Sequence, residues 1–293
     1  MTRGPRLTRR RFLAALGAGG ASLAAYAHFG EPGRLAVTET APEPRPLPNT
    51  HLLTIAQVSD LHLQRVGGLH RRLARTLAAA KPGLVVFTGD SIDRADKLPV
   101  LAEFLALLDP RVPGYAILGN WEHWGSVDLD ALTRLYARHN VRLLVNETAV
   151  HPVGSRRLAI TGLDDLVGGD PDPERAFRGT EEADARILLA HCPEHRDRLR
   201  DAPPVRVGGT VLRPGVDVGA LGYQLMLSGH THGGQVAPLG WTPLTPRGSG
   251  RYVRGWYRDP GEIPMYVSRG IGTSMLPVRL GSVPELAVFT VAV

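Results

Sequence analysis

Short apolar runs recur along the chain, separated by stretches with helical spacing. Residues 51–58 read as a strand, and residues 84–87 are apolar at every position, as expected in the middle of a parallel or mixed sheet. Residues 115–118, 141–145, 157–161, 186–190 and 224–227 repeat the strand pattern, and residues 264–268 and 286–293 close the chain in the same way. Helical periodicity fills residues 69–80, 100–108 and 128–138. This alternation predicts an α/β fold. Several of the runs lead straight into a glycine or a polar residue able to bind a cation. Open α/β sheets place their sites at such strand ends.

The first 50 residues lie outside that pattern. Thr8-Arg9-Arg10-Arg11-Phe12-Leu13 resembles a twin-arginine export motif and stands directly before an apolar Ala/Gly/Leu stretch that ends near Phe29. Residues 1–30 are therefore expected to be a signal. Ala25-Tyr26-Ala27 offers a cleavage site, and without cleavage the stretch remains as an anchor. Residues 31–50, with Pro32, Pro42, Pro44, Pro46 and Pro48, read as an extended spacer, and residues 51–293 as one domain. At 293 residues and 43% hydrophobic, the chain can bury one large core. The net charge of +6 suggests an anionic partner, but Arg3, Arg6, Arg9, Arg10 and Arg11 carry five of those charges. The rest is nearly neutral, which argues against nucleic acid. Cys192 is the only cysteine, so no disulfide forms within the chain.

The richest stretch is Ser228-Gly229-His230-Thr231-His232-Gly233-Gly234-Gln235, two imidazoles one residue apart in a glycine-rich loop that can wrap close to a metal ion. Its partners stand at other strand ends. Asp60-Leu61-His62 follows the first run, and Gly89-Asp90 follows the second, with Asp93 expected as a cap or a partner to a ligand. Gly119-Asn120-Trp121-Glu122-His123 follows the third, where Asn120 repeats the grammar as a ligand, and His191 follows the run at 186–190. Asp164 and Asp165 read as a solvated turn, Cys192 as a small buried side chain, and residues 203–222 as a loop or hairpin near the site mouth. The aromatic and arginine-rich residues 241–257 read as loop packing, with base stacking or a membrane interface as the other openings.

Taken together, Asp60-x-His62, Gly89-Asp90, Gly119-Asn120, His191 and Gly229-His230-x-His232 resemble the signature of the calcineurin-like metallophosphoesterases, most closely their exported bacterial phosphodiesterase branch. The resemblance implies a four-layer αββα fold, a β-sandwich of two mixed sheets flanked by helices. It implies two divalent cations, manganese, iron or zinc, with Asp60, His62 and His232 on the first, Asn120, His191 and His230 on the second, and Asp90 between them. Such a pair clamps phosphoryl oxygens and makes hydroxide available near neutral pH. The expected substrate is a phosphodiester or pyrophosphate of lipid or nucleotide-sugar type, with membrane association through the N-terminal segment.

One departure concerns the leaving group. The family usually has a histidine directly after the asparagine, and here that place is Trp121, whose indole cannot act as a general acid. His123, two residues on, is the substitute, although a turn would aim it elsewhere. A weakly catalytic metal-binding envelope protein and a nuclease are the rival readings.

Overall fold

Strand alternation sorts the apolar side chains into three cores and thereby stacks the layers of the molecule. The computed structural model describes residues 8–42, 51–180, 183–201, 205–207, 210–212 and 222–293. Its first sheet has the spatial order β1 (Ala36–Thr40), β14 (Glu285–Ala292), β2 (Leu52–Val58), β3 (Leu84–Thr88), β4 (Gly114–Ile117) and β5 (Val141–Leu143). The second runs β12 (Gly255–Tyr257), β13 (Met265–Val267), β11 (Tyr223–Ser228), β8 (Ala185–Leu189), β7 (Arg156–Gly162) and β6 (Glu147–Val153). In β3, Leu84 and Val86 point between the sheets, where they join Ile55, Ile117 and Phe289 against Ile160, Ile187, Leu225 and Leu227. Val85 and Phe87 point the other way, under α2 (Gly68–Ala80), α3 (Leu98–Leu105) and α5 (Leu129–Arg138). On the far side of the second sheet, Leu188, Met226 and Met265 pack with Ala176 of α6 (Pro173–Ala176), Phe177 and Tyr252. Two mixed sheets flanked by helices are the expected αββα architecture.

Parallel pairing of β2, β3, β4 and β5, and of β8 with β11, brings the loops that follow these strands to common sheet edges. That arrangement positions the site. Asp128 starts α5 by accepting the N–H groups of Asp130 and Ala131, so it lies just outside the helix that its sequence pattern includes.

Two stretches differ from expectation. The spacer expected over residues 31–50 is interrupted, because Ala36–Thr40 pairs in parallel with β14. Its stabilising partners are distant in sequence: Thr38 donates to Glu285, and Trp256 Nε1 donates to Thr40 Oγ1 at 2.8 Å. The remainder of the spacer, residues 43–50, lies outside the described residues. Glu147–Val153, which carries no strong strand signal, is an edge strand on β7, where Pro152 needs no ladder donor. Within residues 203–222, expected as a loop or hairpin, β9 (Val205–Val207) and β10 (Thr210–Leu212) pair antiparallel, and most of the rest of the stretch lies outside the described residues. In the aromatic stretch, Trp256 packs edge-on against Tyr266 and Phe289, which is ordinary packing.

At the N-terminus, α1 (Arg9–Ala25) buries none of its residues. A π-helical turn, Tyr26–Gly30, continues it, and together with the next three residues the segment is long and apolar enough to cross a membrane by length and composition.

Candidate metal centre

Each expected ligand follows a strand. Asp60 and His62 come after β2 and Asp90 after β3, while Asn120 opens the one-turn helix α4 (Asn120–Trp124) after β4. His191 follows β8, and His230 and His232 follow β11. All seven are buried. One ligand atom each from Asp60, His62 and His232 lies within 4.8 Å of the others, and the same is true of Asp90, His191 and His230. Asp90 connects the two groups, because its Oδ2 lies 3.2 Å from His191 Nε2 and 3.6 Å from His62 Nε2. Asn120 Oδ1 is buried without a hydrogen-bond partner. A buried amide oxygen without a donor is costly, and a cation is the partner that removes the cost. The donor set of imidazole, carboxylate and amide oxygen therefore fits two divalent ions.

The backbone is bent to achieve this. Asp60, His62, Asp90, His230 and His232 all have positive φ, between 43° and 72°, a region uncommon for residues other than glycine. Two glycines let the chain close around the carboxylates. A Cβ at Gly119 would stand 2.2 Å from Asp90 Oδ1, and one at Gly229 would stand 1.9 Å from Ser59 Oγ and 2.5 Å from Asp60 Oδ2.

Hydrogen bonds fix three of the four imidazoles in the tautomer that a ligand needs. Asp93 Oδ1 accepts from His62 Nδ1 at 2.5 Å, which leaves Nε2 as a lone-pair donor. The Thr88 carbonyl accepts from His191 Nδ1 at 2.7 Å, and the Arg247 carbonyl from His230 Nε2 at 2.6 Å. His191 Nε2 and His230 Nδ1 are then the free nitrogens, 3.2 Å apart. Asp60 is oriented by the His230 N–H at 2.9 Å and the Ser59 hydroxyl at 2.6 Å. Burial would raise the Asp90 carboxyl, but His191 and His62 in their protonated forms and the Trp121 main-chain N–H together hold it well below the ordinary range, as an anion. Burial, His62 and then the Arg279 guanidinium push His232 well down, so it stays neutral.

Several functional neighbours escape the sequence pattern. Glu122 is buried and accepts four main-chain N–H groups: Gly119 and Asp90 on Oε2, Ser91 and Ile92 on Oε1. It ties the Asp90 loop to the Asn120 helix. Its sequence signal is a glutamate at the third position of a helix, in the manner of a capping box. Glu122→Ala is expected to lower stability by about 3 kcal/mol, because buried donors lose their acceptor. Chemical denaturation measures this, and an unchanged midpoint would show that the carboxylate is dispensable.

Asp164 and Asp165, expected in a solvated turn, are buried instead. Asp165 accepts from the Val167 and Gly168 N–H groups and from the buried Cys192 thiol at 3.1 Å. Asp164 accepts from the Asp165 and Asp170 N–H groups and holds His123 Nε2 at 2.7 Å. Because residues 120–124 form a helical turn, Asn120 and His123 are neighbours at i, i+3 on one face. Trp121 lies edge-on to His62, ring centroids 6.0 Å apart.

Residues 53–234 match the model of the calcineurin-like phosphoesterases, and the chain belongs to that family. It is 31% identical to the metallophosphoesterase YkuE of Bacillus subtilis over 97% of the chain and 98% of that protein. It is 29% identical to the phosphodiesterase YaeI of Escherichia coli over 96% of the chain and 97% of that protein. To the UDP-2,3-diacylglucosamine pyrophosphatase LpxG of Chlamydia muridarum it is 26% identical, over 84% of the chain and 85% of that protein. The chain is a metal-dependent phosphoric ester hydrolase, and its family uses two divalent ions.

Proposed function

We propose that the chain, exported by the twin-arginine route, hydrolyses a phosphodiester or pyrophosphate of lipid or nucleotide-sugar type. The observation that carries this reading is Asp90 Oδ2 between two buried triads, with Asn120 Oδ1 unpartnered in the same centre. Asp60, His62 and His232 would hold one ion, Asn120, His191 and His230 the other, and Asp90 both. When bound, the ions supply Lewis-acid stabilisation of the phosphoryl charge and a water acidic enough to serve as nucleophile. The chain's own residues keep the imidazoles in fixed tautomers and Asp90 ionised. His123 would protonate the leaving oxygen, a role supported by its hydrogen bond to Asp164 and its helical face shared with Asn120, and one that the Trp121 indole cannot fill. A diester or pyrophosphate with an acidic leaving group asks least of such an acid. The names of the E. coli and Chlamydia relatives, a phosphodiesterase and a pyrophosphatase, support the same choice.

Trp121 also favours a second reading, a metal-binding envelope protein with little turnover. Purified protein supplied with manganese should cleave a bis-aryl phosphodiester faster than an aryl phosphomonoester. Inert protein with two ions bound per chain would establish the second reading, and equal cleavage of DNA would establish a nuclease.

A further inference from the structure

We infer that the chain keeps α1 as a membrane anchor and lays its catalytic mouth against the phospholipid bilayer through an apolar face made by Leu239, Trp241, Leu244, Met275 and Leu276. Two loops build that face, and Gln235 binds them together. Its Nε2 donates to the Ser274 and Leu276 carbonyls at 3.0 Å each, and its Oε1 accepts the Ser274 N–H at 2.9 Å. The Ala237 N–H donates to the Leu280 carbonyl at 2.7 Å, and the Leu280 N–H to that of Gln235 at 2.9 Å.

The side chains at the tips of these loops face solvent. Leu239 is fully exposed, Met275 is 90% and Leu244 82% exposed, and Trp241 and Leu276 are more than half exposed. Leu239 and Met275 have φ of 53° and 59°, a left-handed conformation that bulky residues seldom adopt. The chain bears that strain to hold two large apolar side chains outward. Clustered exposure of this kind marks an interaction surface.

The adjoining helix says what covers it. The carbonyl of Ala27 accepts the Arg279 N–H at 2.8 Å, and Glu31 Oε1 accepts the Ser282 N–H at 2.6 Å. The end of the N-terminal segment is thus fastened to the same loops, with Phe29 exposed beside the attachment. The part of the segment free of the domain is α1, 17 residues long, which at 1.5 Å per residue gives about 26 Å, at the short end of what spans a hydrocarbon core of roughly 30 Å. Phe12, Leu13, Leu16 and Leu23 project from it with nothing among the described residues to cover them. A bilayer satisfies the helix, and the loops stand where the helix leaves it.

The cleavage motif Ala25-Tyr26-Ala27 leads into this attachment. Ala27 is buried, lies in the helical turn Tyr26–Gly30, and is hydrogen-bonded to the domain. Processing there would first have to draw the segment away from Arg279 and Ser282. Arg279 also places its Nη2 3.2 Å from His232 Nδ1, and Gln235 ends the histidine loop itself. The apolar face therefore borders the Asp60–His62–His232 half of the site. A lipid-linked phosphate would reach the metals with its chains still in the membrane, a consequence that rests on the lipid reading above.

Full-length protein reconstituted into vesicles of phosphatidylethanolamine and phosphatidylglycerol provides the test. With acyl-brominated lipids, the fluorescence that wild type shows over Trp241→Phe should be quenched. A Leu239→Ser, Met275→Ser double variant should turn over vesicle-borne hexadecyl nitrophenyl phosphate about tenfold more slowly and soluble bis-aryl diester at the wild-type rate. Unquenched Trp241 in vesicle-bound protein would overturn the proposal, as would a cellular protein that begins at His28. Failure to hydrolyse the soluble diester counts against the hydrolytic reading alone, since the quenching result still decides where the face lies.

Discussion

Asp90→Ala should reduce hydrolysis of a bis-aryl phosphodiester by at least about 10³-fold and leave the protein holding fewer than two ions per chain. The size of the effect follows from position. Asp90 Oδ2 is the oxygen near imidazoles of both triads, so its removal weakens both sites at once. The charge matters as well as the atom. Burial opposes ionisation of this carboxyl, yet His191, His62 and the Trp121 N–H overcome that opposition, so the folded protein maintains an anion there. Asp90→Asn keeps the shape and an oxygen able to accept the Trp121 N–H at 2.9 Å, but removes the charge, and should fall between wild type and alanine. Metal content after dialysis, measured with turnover on the same preparations, separates the causes. An alanine variant that retains two ions and a tenth of the activity would overturn the proposal that Asp90 is shared by the two ions.

The seven expected residues were legible in the sequence because each follows a strand, and strands announce themselves by apolar runs that end in glycine or a polar residue. Leu84 to Phe87 show this best, since both faces of β3 are buried and every position must be apolar. What escaped depends on contacts between distant parts of the chain. The strand at Ala36–Thr40 is held by Glu285 and Trp256, and five prolines around it suggest a spacer. Asp164 and Asp165 look like turn residues because aspartate is common in turns. Their burial follows from His123, Cys192 and the N–H groups that they accept. Glu122 is concealed similarly, because it acts on the backbone of another loop, from Asp90 to Ile92, and composition carries no trace of that. Trp121 could be seen as a departure from the family pattern. The single helical turn that brings His123 round to the face of Asn120 could not, because five residues are too few for a periodicity.

That turn makes His123 the residue whose replacement is most informative about the chemistry. His123→Ala should slow hydrolysis of an alkyl phosphodiester by about 10²–10⁴-fold, and of an activated aryl diester far less, because only the poor leaving group needs a proton. The charged groups facing His123 come from two stretches: Asp164 and Asp165 from the loop after β7, and Glu122 from its own helix. The hydrogen bond that His123 donates to Asp164 raises the imidazole pKa most, burial opposes it, and the charges of Asp164, Asp165 and Glu122 add to the rise. His123 thus remains protonated above its ordinary range, and turnover of the alkyl diester should decline as pH climbs through that raised value. Asp164→Asn keeps a hydrogen-bonding side chain but loses the charge, so the decline should move to lower pH while the aryl diester profile stays in place. Equal losses for alkyl and aryl diesters in His123→Ala would mean that the imidazole positions the substrate or the loop and donates no proton.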